Sequence, residues 1–273
     1  MPELPEVETI LRDLVNAGVP GRRITSADVF WPPLLQNISP RSFQRLVRGQ
    51  VIGHIWRHGK YLLLCLGDTR WMILHLGMSG GLLLATSQPD HTRLVLRLDG
   101  REDLFYRDPR KFGRIWLVAD PGAVIGKLGP DALAADLTAP LFIQRVRRHR
   151  RQIKPLLMDQ TVVAGIGNIY ADEALWRARI HPLRNSAQLS DVELRRLFQA
   201  VRHVLRQSIR HRGTSLGATA TNYRTARGAA GRNRGYLAVY HRTGQPCRRC
   251  RTPIRRIVVG QRSTHFCPRC QPP

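Results

Sequence analysis

The spacing of apolar residues divides the chain into regions of different secondary structure. Behind Pro5, apolar positions repeat at helical spacing and predict a helix over residues 5–16, with Gly18 as its stop. From about 22 to 118, short apolar or alternating runs are separated by Gly, Asp and Pro, which predicts an all-β sandwich or barrel. The clearest runs lie at 60–66, 71–76, 81–84, 94–98, 104–106 and 113–118.

Beyond residue 120 the apolar spacing becomes helical. Residues 211–236 are rich in Gly, Ala and Arg and predict a mobile basic loop. Residues 253–264 predict a hairpin with its turn near Gly260. The predicted helices cover 141–151, 153–158, 168–179 and 192–210.

These patterns together predict an α+β protein. A chain of 273 residues, 42% of them hydrophobic, can bury a sizeable core, and two domains are expected. The expected parts are a β-rich domain (1–120), a connecting segment (121–140), a helical domain with the basic loop (141–236) and a hairpin (237–273).

The sequence pattern does not suggest a membrane protein. No apolar run approaches the roughly 20 residues of a membrane span. The first ten residues are acidic and contain proline, unlike a signal peptide. We therefore expect a cytoplasmic protein without membrane contact.

The charge balance of the chain indicates what kind of partner the protein binds. The chain has 44 basic and 19 acidic residues, a net charge of +25, and only 4 of the basic residues are Lys. No carboxylate follows Glu193, and residues 194–273 carry 18 Arg. A genome that favours Arg codons accounts for Arg over Lys, but not for 80 residues without Asp or Glu. A polyanionic partner is therefore expected, because clustered Arg binds phosphate.

Four of the five cysteines have the spacing of a zinc site: Cys247, Cys250, Cys267 and Cys270 form two C-x2-C pairs. Two such knuckles joined by a hairpin can hold one structural Zn²⁺ with four thiolates. Two disulfides are the alternative, and a reducing cytosol disfavours them. The hairpin between the pairs carries Arg255, Arg256 and Arg262, which suits a nucleic-acid groove, although a zinc ribbon that only caps the fold is also possible. Cys65, in an apolar run, is expected to be a buried thiol.

The N-terminus is a candidate for covalent chemistry. Removal of the methionine before Pro2 would leave a secondary amine, and an α-amino group has a pKa near 8. Such an amine can attack an aldehyde-level carbon and form an iminium, with Glu3 and Glu6 nearby as acid/base groups. The alternative is that these glutamates only begin a helix, where its dipole favours them.

Two internal motifs have both a functional and a structural interpretation. Gly165-Ile166-Gly167-Asn168 allows a tight turn before a helix whose N–H groups could bind phosphate, and a plain helix–turn–helix joint fits equally well. Residues 107–114 (RDPRKFGR) could offer charge to a DNA backbone and Phe112 to a base stack. A surface turn with a half-buried Phe fits them as well.

Together these motifs resemble the formamidopyrimidine-DNA glycosylase family of DNA base-excision repair. The resemblance implies an N-terminal β-sandwich with an N-terminal helix, a helix-two-turns-helix domain and a four-cysteine zinc-finger β-hairpin. It implies a monomeric, bifunctional glycosylase and AP lyase that removes 8-oxoguanine and formamidopyrimidines from damaged double-stranded DNA. The matching segments are 1–9 (MPELPEVET), 57–63 (RHGKYLL), 75–80 (HLGMSG), 108–113 (DPRKFG), 154–160 (KPLLMDQ), 165–175 (GIGNIYADEAL) and the closing CPRCQ.

The resemblance also assigns roles at the reacting sugar. It implies Pro2 as the nucleophile at C1′, which forms an imine and leads to β,δ-elimination. Glu3 would handle protons beside it, and Glu6 would help to shape the site. Lys60 would contact a phosphate of the damaged nucleotide, and Arg262 would grip phosphates from the zinc hairpin.

The remaining implied residues bind DNA around the lesion. Some would fill the gap that the extruded base leaves, which partly replaces lost stacking. Others would contact the backbone, and Glu173 would support the site. The gap-filling residues are Met78, Arg110 and Phe112, and the other DNA contacts are His75, Lys154, Asn168, Tyr223 and Arg224.

The segment 213–236 departs from the family pattern. It keeps Gly213-Thr214 and Tyr223-Arg224 but is otherwise unusually rich in Arg and Ala. The resemblance therefore constrains the preferred lesion least. The alternative is a preference for oxidised pyrimidines, as in the related enzymes that remove them. A non-catalytic zinc-ribbon DNA-binding protein is the alternative of another class.

Overall fold

The computed structural model describes residues 2–67, 69–217, 219 and 222–273. The chain forms two compact units, the first comprising residues up to Lys127 together with Ile209–Arg234. The second comprises Leu128–Ser208 and Gly235–Pro273. In the described part of the chain, no helix combines the length and apolar character needed to cross a membrane.

The first unit contains two four-stranded antiparallel sheets, as the short apolar runs predict. One sheet has the order β1-β6-β7-β5 and the other β2-β3-β4-β8. The apolar faces of both sheets contribute to one hydrophobic core, in which Leu62, Leu74 and Leu96 are fully buried. The strands are β1 (Ile24–Val29), β2 (Ile52–His58), β3 (Tyr61–Leu66), β4 (Arg70–His75), β5 (Gly81–Ala85), β6 (Thr92–Leu98), β7 (Asp103–Arg107) and β8 (Arg114–Val118).

The predicted N-terminal helix is present as α1 (Leu4–Asn16). Its apolar residues Val7, Ile10 and Leu14 are fully buried in the core of the first unit. The helix begins with Pro5 in its first turn, where a missing N–H costs nothing. Its hydrophobic face therefore holds the chain start against the sheets.

A second helix, α2 (Pro40–Val47), lies in the region for which the sequence pattern predicts strands. The Ser39 hydroxyl accepts a hydrogen bond from the Ser42 N–H at 3.3 Å, and Pro40 occupies the first helical position. Phe43 and Val47, four residues apart, are both buried. The signal was a Ser-Pro start followed by one helical repeat, which is short enough to be missed among strands.

The second unit is mainly helical and ends in the predicted hairpin. Its hairpin turn has Gly260 and Gln261 at φ values of +54° and +60°, which is the two-residue turn that antiparallel strands favour. The short helix α3 (Gly122–Ile125) precedes this unit. The helices and strands of the second unit are α4 (Ala139–Arg147), α5 (Ile153–Met158), α6 (Asn168–Ala178), α7 (Asp191–Arg210), β9 (Arg255–Val259) and β10 (Arg262–Phe266). The end of α7 passes into the first unit.

The described part of the predicted mobile loop, up to Arg234, is packed in the first unit. The Arg212 guanidinium donates to both Asp13 carboxylate oxygens, at 2.7 and 2.9 Å. The Ala226 N–H also donates to Asp13, at 3.2 Å, and Thr225 is fully buried. The compact units therefore differ from the predicted domains, because these contacts group Ile209–Arg234 with the β-rich unit rather than with the helices. Residues 218, 220 and 221 of the predicted loop lie outside the described residues.

Candidate functional site

The chain start forms a buried site in the first unit. Pro2 is buried, and Glu3 and Glu6 expose only 2% and 1% of their surface. The Glu6 carboxylate accepts from the Glu3 N–H at 2.8 Å with one oxygen and from the Thr214 N–H at 2.8 Å with the other. One carboxylate thus ties the first residues of the chain to the segment after α7.

Gly213 makes this arrangement possible. Its φ is +81°, and a Cβ there would lie 2.7 Å from the Tyr223 ring and 3.1 Å from Glu6 Cγ. Tyr223 is itself buried, and burial followed by the Glu6 charge raises the pKa of its hydroxyl. The buried Tyr223 ring therefore packs against Gly213, while Arg224, the next residue, is half-buried. DNA contact by these two residues stays a prediction.

Lys60 occupies the turn of the β2–β3 hairpin. His58 pairs with Tyr61, which leaves Gly59 and Lys60 as a two-residue turn with Gly59 at a φ of +57°. Arg57 stabilises the turn, since its guanidinium donates to the Gly59 carbonyl at 3.0 Å and to Glu8 at 2.9 Å. Lys60 is thereby held at a fixed place at the end of the sheet.

His75 lies at the end of β4 in the same sheet. Its ring is 4.9 Å from that of Tyr61. Burial, followed by the charges of Lys60 and Arg114, lowers the pKa of His75 to about 4. The imidazole is therefore neutral near pH 7 and can act there only as a hydrogen-bonding group, not as a cation.

The loop after β7 presents Arg110 and Phe112. The buried Asp108 carboxylate accepts from the Phe112 and Gly113 N–H groups at 2.8 Å each and from the Ser79 hydroxyl at 2.6 Å. Phe112 is 51% exposed, and the Arg110 guanidinium lies 4.9 Å from its ring centre.

The loop that carries Met78 runs beside this one. A Cβ on Gly77 would lie 2.6 Å from the Phe112 carbonyl carbon, so only glycine allows the two loops to approach. Met78 is 37% exposed. The three predicted gap-filling residues Met78, Arg110 and Phe112 therefore come from two neighbouring loops of the first unit.

In the second unit, Lys154 and Asp172 form a fully buried ion pair at 2.7 Å. The Lys154 ammonium also donates to the Ser263 carbonyl at 3.0 Å and to the Thr264 hydroxyl at 2.7 Å. Asp172 accepts from the His265 N–H at 2.7 Å. The buried Lys154 side chain thus holds β10, and a phosphate contact by Lys154 stays a prediction.

Asn168, at the start of α6, contacts the same strand. Its amide donates to the Ser263 carbonyl at 3.1 Å and to the Tyr240 hydroxyl at 3.4 Å. Arg262, the first residue of β10, is exposed beside these anchored positions. The structure thus brings Asn168 and Arg262 to one end of the second unit.

Glu173 is buried in the second unit and organises its backbone. Its carboxylate accepts from the Ala238, Val239 and Tyr240 N–H groups at 2.8 to 2.9 Å. Burial raises the pKa of Glu173, although these three hydrogen bonds act in the opposite direction. Its place is therefore that of a structural carboxylate for the segment leading to the zinc hairpin.

The four cysteines Cys247, Cys250, Cys267 and Cys270 form a metal site, with their sulfur atoms all within 4.8 Å of one another. The Cys250 and Cys267 sulfurs are 3.4 Å apart, and those of Cys247 and Cys270 are 3.9 Å apart. A sulfur–sulfur bond is about 2.05 Å, whereas four thiolates about 2.3 Å from Zn²⁺ lie about 3.8 Å from one another. The geometry fits the zinc site and not the disulfide alternative.

Backbone and indole N–H groups support the thiolates. The Arg249 N–H and the Trp176 indole each donate to the Cys247 sulfur at 3.4 Å. The Cys270 N–H donates to Cys267 at 3.4 Å. The remaining cysteine, Cys65, is buried in the first unit as predicted.

Three buried carboxylates that organise these sites were not singled out from the sequence. Asp13 binds the segment after α7, Asp108 shapes the gap-filling loop and Asp172 pairs with Lys154. For Asp108 a signal existed, since Asp followed by Pro and then Gly is typical of a side chain that bonds its own turn. Asp13 and Asp172 sit inside helices and look like surface charges in the sequence.

Three known domains match the chain. Residues 1–115 match the formamidopyrimidine-DNA glycosylase N-terminal domain, and 128–220 match its H2TH domain. Residues 244–273 match the zinc finger found in FPG and IleRS. A formamidopyrimidine-DNA glycosylase of Herpetosiphon aurantiacus is 48% identical over 99% of this chain and 100% of its own length.

Solved structures match over the full chain as well. A Lactococcus lactis FPG variant in complex with Fapy-dG containing DNA has a TM-score of 0.91 at 34% identity, with 100% of each chain covered. The wild-type Lactococcus lactis FPG in complex with an oxidised-pyrimidine containing DNA has a TM-score of 0.90 at 35% identity, also covering 100% of each chain.

The two sheets with α1, the helical unit and the four-cysteine hairpin define a zinc-finger protein of the helix-two-turns-helix class of DNA-repair proteins. Within that class, the chain belongs to the formamidopyrimidine-DNA glycosylase family.

Proposed function

We propose that this protein excises oxidised purines, 8-oxoguanine and formamidopyrimidines, from duplex DNA and then cuts the strand at the abasic site. The observation that carries the proposal is the buried chain start, where Glu6 fixes the backbone of Glu3 next to Pro2. The Lactococcus lactis relative bound to Fapy-dG DNA supports the choice of substrate.

Pro2 is the proposed nucleophile after removal of Met1. Its secondary amine is partly neutral at pH 7, because an α-amino group has a pKa near 8. The nitrogen lone pair attacks C1′ of the damaged nucleotide, and the base leaves with the electron pair of the glycosidic bond and takes up a proton. The nitrogen loses its proton to water, and its lone pair then breaks the C1′–O4′ bond and gives an iminium between Pro2 and C1′.

Glu3 is the proposed proton carrier beside this nitrogen. Its own backbone is held by Glu6, so its carboxylate starts from a defined place. In the first half of the reaction Glu3 delivers a proton to the opening sugar oxygen, and afterwards it can accept one. Glu6 acts through position, since both its oxygens are used by backbone N–H groups.

Strand cleavage follows from the iminium. The positive nitrogen acts as an electron sink, so C2′ can lose a proton. The 3′-phosphate then leaves, which is the β-elimination. Loss of a second proton, at C4′, releases the 5′-phosphate as δ-elimination. Hydrolysis then returns the Pro2 amine and removes the sugar fragment.

Both units supply proposed DNA contacts. Lys60 in the first unit and Arg262 in the second are the cations for phosphates near the lesion, with Asn168 as a neutral donor. Met78, Phe112 and Arg110 fill the gap beside the orphaned base, because apolar side chains partly restore the stacking that base flipping removes. The zinc site holds the hairpin that carries Arg262. We propose a cytoplasmic monomer that acts at the nucleoid.

Relative excision rates test the substrate. Duplexes with 8-oxoguanine or with thymine glycol, each opposite its normal partner, are incubated with the protein and the nicked strand is quantified. Faster cleavage of the 8-oxoguanine duplex is expected. The oxidised-pyrimidine DNA bound by the Lactococcus lactis relative favours pyrimidine lesions as a second substrate class, and a strong preference for thymine glycol would make that class the principal one.

A further inference from the structure

A cavity of about 550 Å³ in the second unit has four arginine side chains in its lining. Arg177 and Arg179 come from the end of α6, Arg196 from α7 and Arg249 from the first zinc knuckle. We call this cavity the arginine pocket. Its lining also includes Gln199, Ala200 and His203.

Contacts with the backbone hold two of the guanidinium groups in place. Arg196 donates through Nε to the Ala178 carbonyl at 2.6 Å. Arg249 lies 4.4 Å from the centre of the Trp176 ring and donates to the Trp176 carbonyl at 3.4 Å. The Trp176 indole in turn donates to the zinc ligand Cys247. Arg196 and Arg249 are therefore fixed to the end of α6 and, through Trp176, to the metal site.

The charge of the pocket is uncompensated within its lining. Among the described residues that line it, none is a carboxylate. The acidic residues at the start of α7 are engaged elsewhere, since Asp191 pairs with Arg147 and Glu193 bonds the Ser190 N–H. Burial and the neighbouring Arg249 charge lower the pKa of Arg177. Four cations that line one cavity without a carboxylate among the lining residues favour an anionic ligand.

The pocket is separate from the DNA contacts proposed above. Asn168 begins α6 and Arg177 lies near its end, nine positions later, which is about 14 Å along a helix axis. Arg262 lies near Asn168, because the Asn168 amide donates to the carbonyl of Ser263, the residue that follows Arg262. The two basic regions therefore occupy opposite ends of the same helix.

We propose that the arginine pocket binds phosphate groups as a second anion site of this protein. Guanidinium groups present forked donors that match phosphate oxygens. A cavity of this volume, with four such groups, suits several linked phosphates rather than a single carboxylate. The phosphates can belong to a free polyphosphate or to a nucleic-acid strand that extends beyond the lesion contacts.

Calorimetric titration with inorganic tripolyphosphate at fixed ionic strength tests the pocket. The variant R177Q/R179Q removes two exposed pocket charges, and the control R195Q/R206Q removes two exposed charges of α7 that do not line the pocket. Tripolyphosphate should bind R177Q/R179Q about ten-fold more weakly than wild type, with little change for R195Q/R206Q. Equal weakening of both variants would show a response to net charge alone and overturn the site, as would unchanged binding to R177Q/R179Q.

A second set of titrations identifies the source of the phosphate. Weaker binding of a long undamaged duplex to R177Q/R179Q, but not to R195Q/R206Q, would assign the pocket to nucleic acid. Unchanged duplex binding together with weaker tripolyphosphate binding would assign it to a free polyphosphate, and either result supports a phosphate site. Polyglutamate serves as the carboxylate probe. If it distinguishes the two variants and tripolyphosphate does not, the pocket recognises an acidic protein segment and the proposal is wrong.

Discussion

Buried carboxylates do most of the positioning at the scale of single residues. Glu6, Asp108 and Glu173 each accept two or three backbone N–H groups, and each lies next to a proposed functional residue or segment. A carboxylate that accepts several N–H groups fixes backbone more firmly than a neutral side chain, because hydrogen bonds to a charged group are stronger. The protein thus uses its few acidic residues as backbone organisers.

Replacement of Phe112 by Ala separates DNA binding from stability. Phe112 and Phe30 are each 51% exposed in the first unit, so F112A and the control F30A should each change the unfolding free energy by only about 0.5 kcal/mol. If Phe112 stacks beside the flipped base, F112A weakens binding to an abasic-site duplex about ten-fold, since stacking on a base contributes about 1–3 kcal/mol. Equal affinities of F112A and F30A, measured by fluorescence anisotropy, would contradict the wedge role.

His75 gives a pH prediction with a defined sign. Its pKa falls from an ordinary 6.5 to about 4 in the folded protein, so the unfolded chain binds the extra proton between these values. Stability is therefore lost as the pH falls from 6.5 towards 4, and no such penalty exists above 6.5. H75Q should flatten the stability profile in this window, measured by urea unfolding. Identical profiles for wild type and H75Q would show that His75 is not responsible.

Local motifs in the sequence single out candidate reactive residues, but not the buried residues that position them. The motif at the chain start singles out Pro2 and Glu3, and the two C-x2-C pairs single out the four cysteines. No local motif singles out Asp13 and Asp172, because their partners are Arg212 and Lys154, which are distant in the sequence. Burial of a carboxylate is a property of the folded chain, so a helix position alone cannot reveal it.

At the scale of secondary-structure elements, the helix α6 and the strand β10 act together. Lys154, Asp172 and Asn168 all reach the backbone or side chains of Ser263 to His265, next to Arg262. The zinc site closes the other end of the hairpin. The hairpin is thus fastened at both ends, although the apolar pattern alone predicts only that it exists.

Lys154 and Arg262 should respond differently to substitution. K154M removes one partner of a fully buried ion pair, so the unfolding free energy should fall by about 3–5 kcal/mol. DNA affinity should fall as well, because β10 loses its anchor. R262A removes an exposed side chain and should weaken DNA binding with little loss of stability. If K154M kept wild-type stability and lost DNA binding, Lys154 would contact phosphate directly and the positioning role would be wrong.

The apolar pattern predicted most helices, from the 20 residues of α7 to the 6 of α5, but missed α2 among the strands. The helices α1, α5 and α7 lie within a residue of their predicted bounds. The helix α2 has only two turns, and its Phe43–Val47 pair resembles strand alternation interrupted by polar residues. Ser39 at its N-cap is a helix-start signal, but this signal has meaning only when a helix is weighed against a strand for these residues.

At the scale of the whole molecule, the net charge of +25 is unevenly distributed along the chain. The stretch without carboxylates includes most of α7, the zinc hairpin and the segment Ile209–Arg234, which packs in the first unit. Composition could not show that this segment joins the β-rich unit, because the decisive pair, Arg212 and Asp13, is separated by 199 positions.

Salt dependence measures how many phosphates this charge neutralises. The logarithm of the DNA association constant should fall linearly with the logarithm of salt concentration, with a slope of about −0.9 per phosphate contacted. R262Q should reduce that slope by about one, whereas R195Q, which removes an exposed charge on α7, should leave it unchanged. Equal slopes for R262Q and wild type, measured by salt titration, would remove Arg262 from the phosphate contacts.

Covalent trapping tests the central claim, which is imine chemistry at Pro2. The protein is incubated with an 8-oxoguanine duplex in the presence of sodium borohydride, and the DNA–protein product is digested and mapped. Wild-type protein should be trapped with the DNA attached to the Pro2 nitrogen, and protein whose Pro2 amine is blocked should give no product. Trapping at a lysine, or undiminished trapping of the blocked protein, would contradict the account.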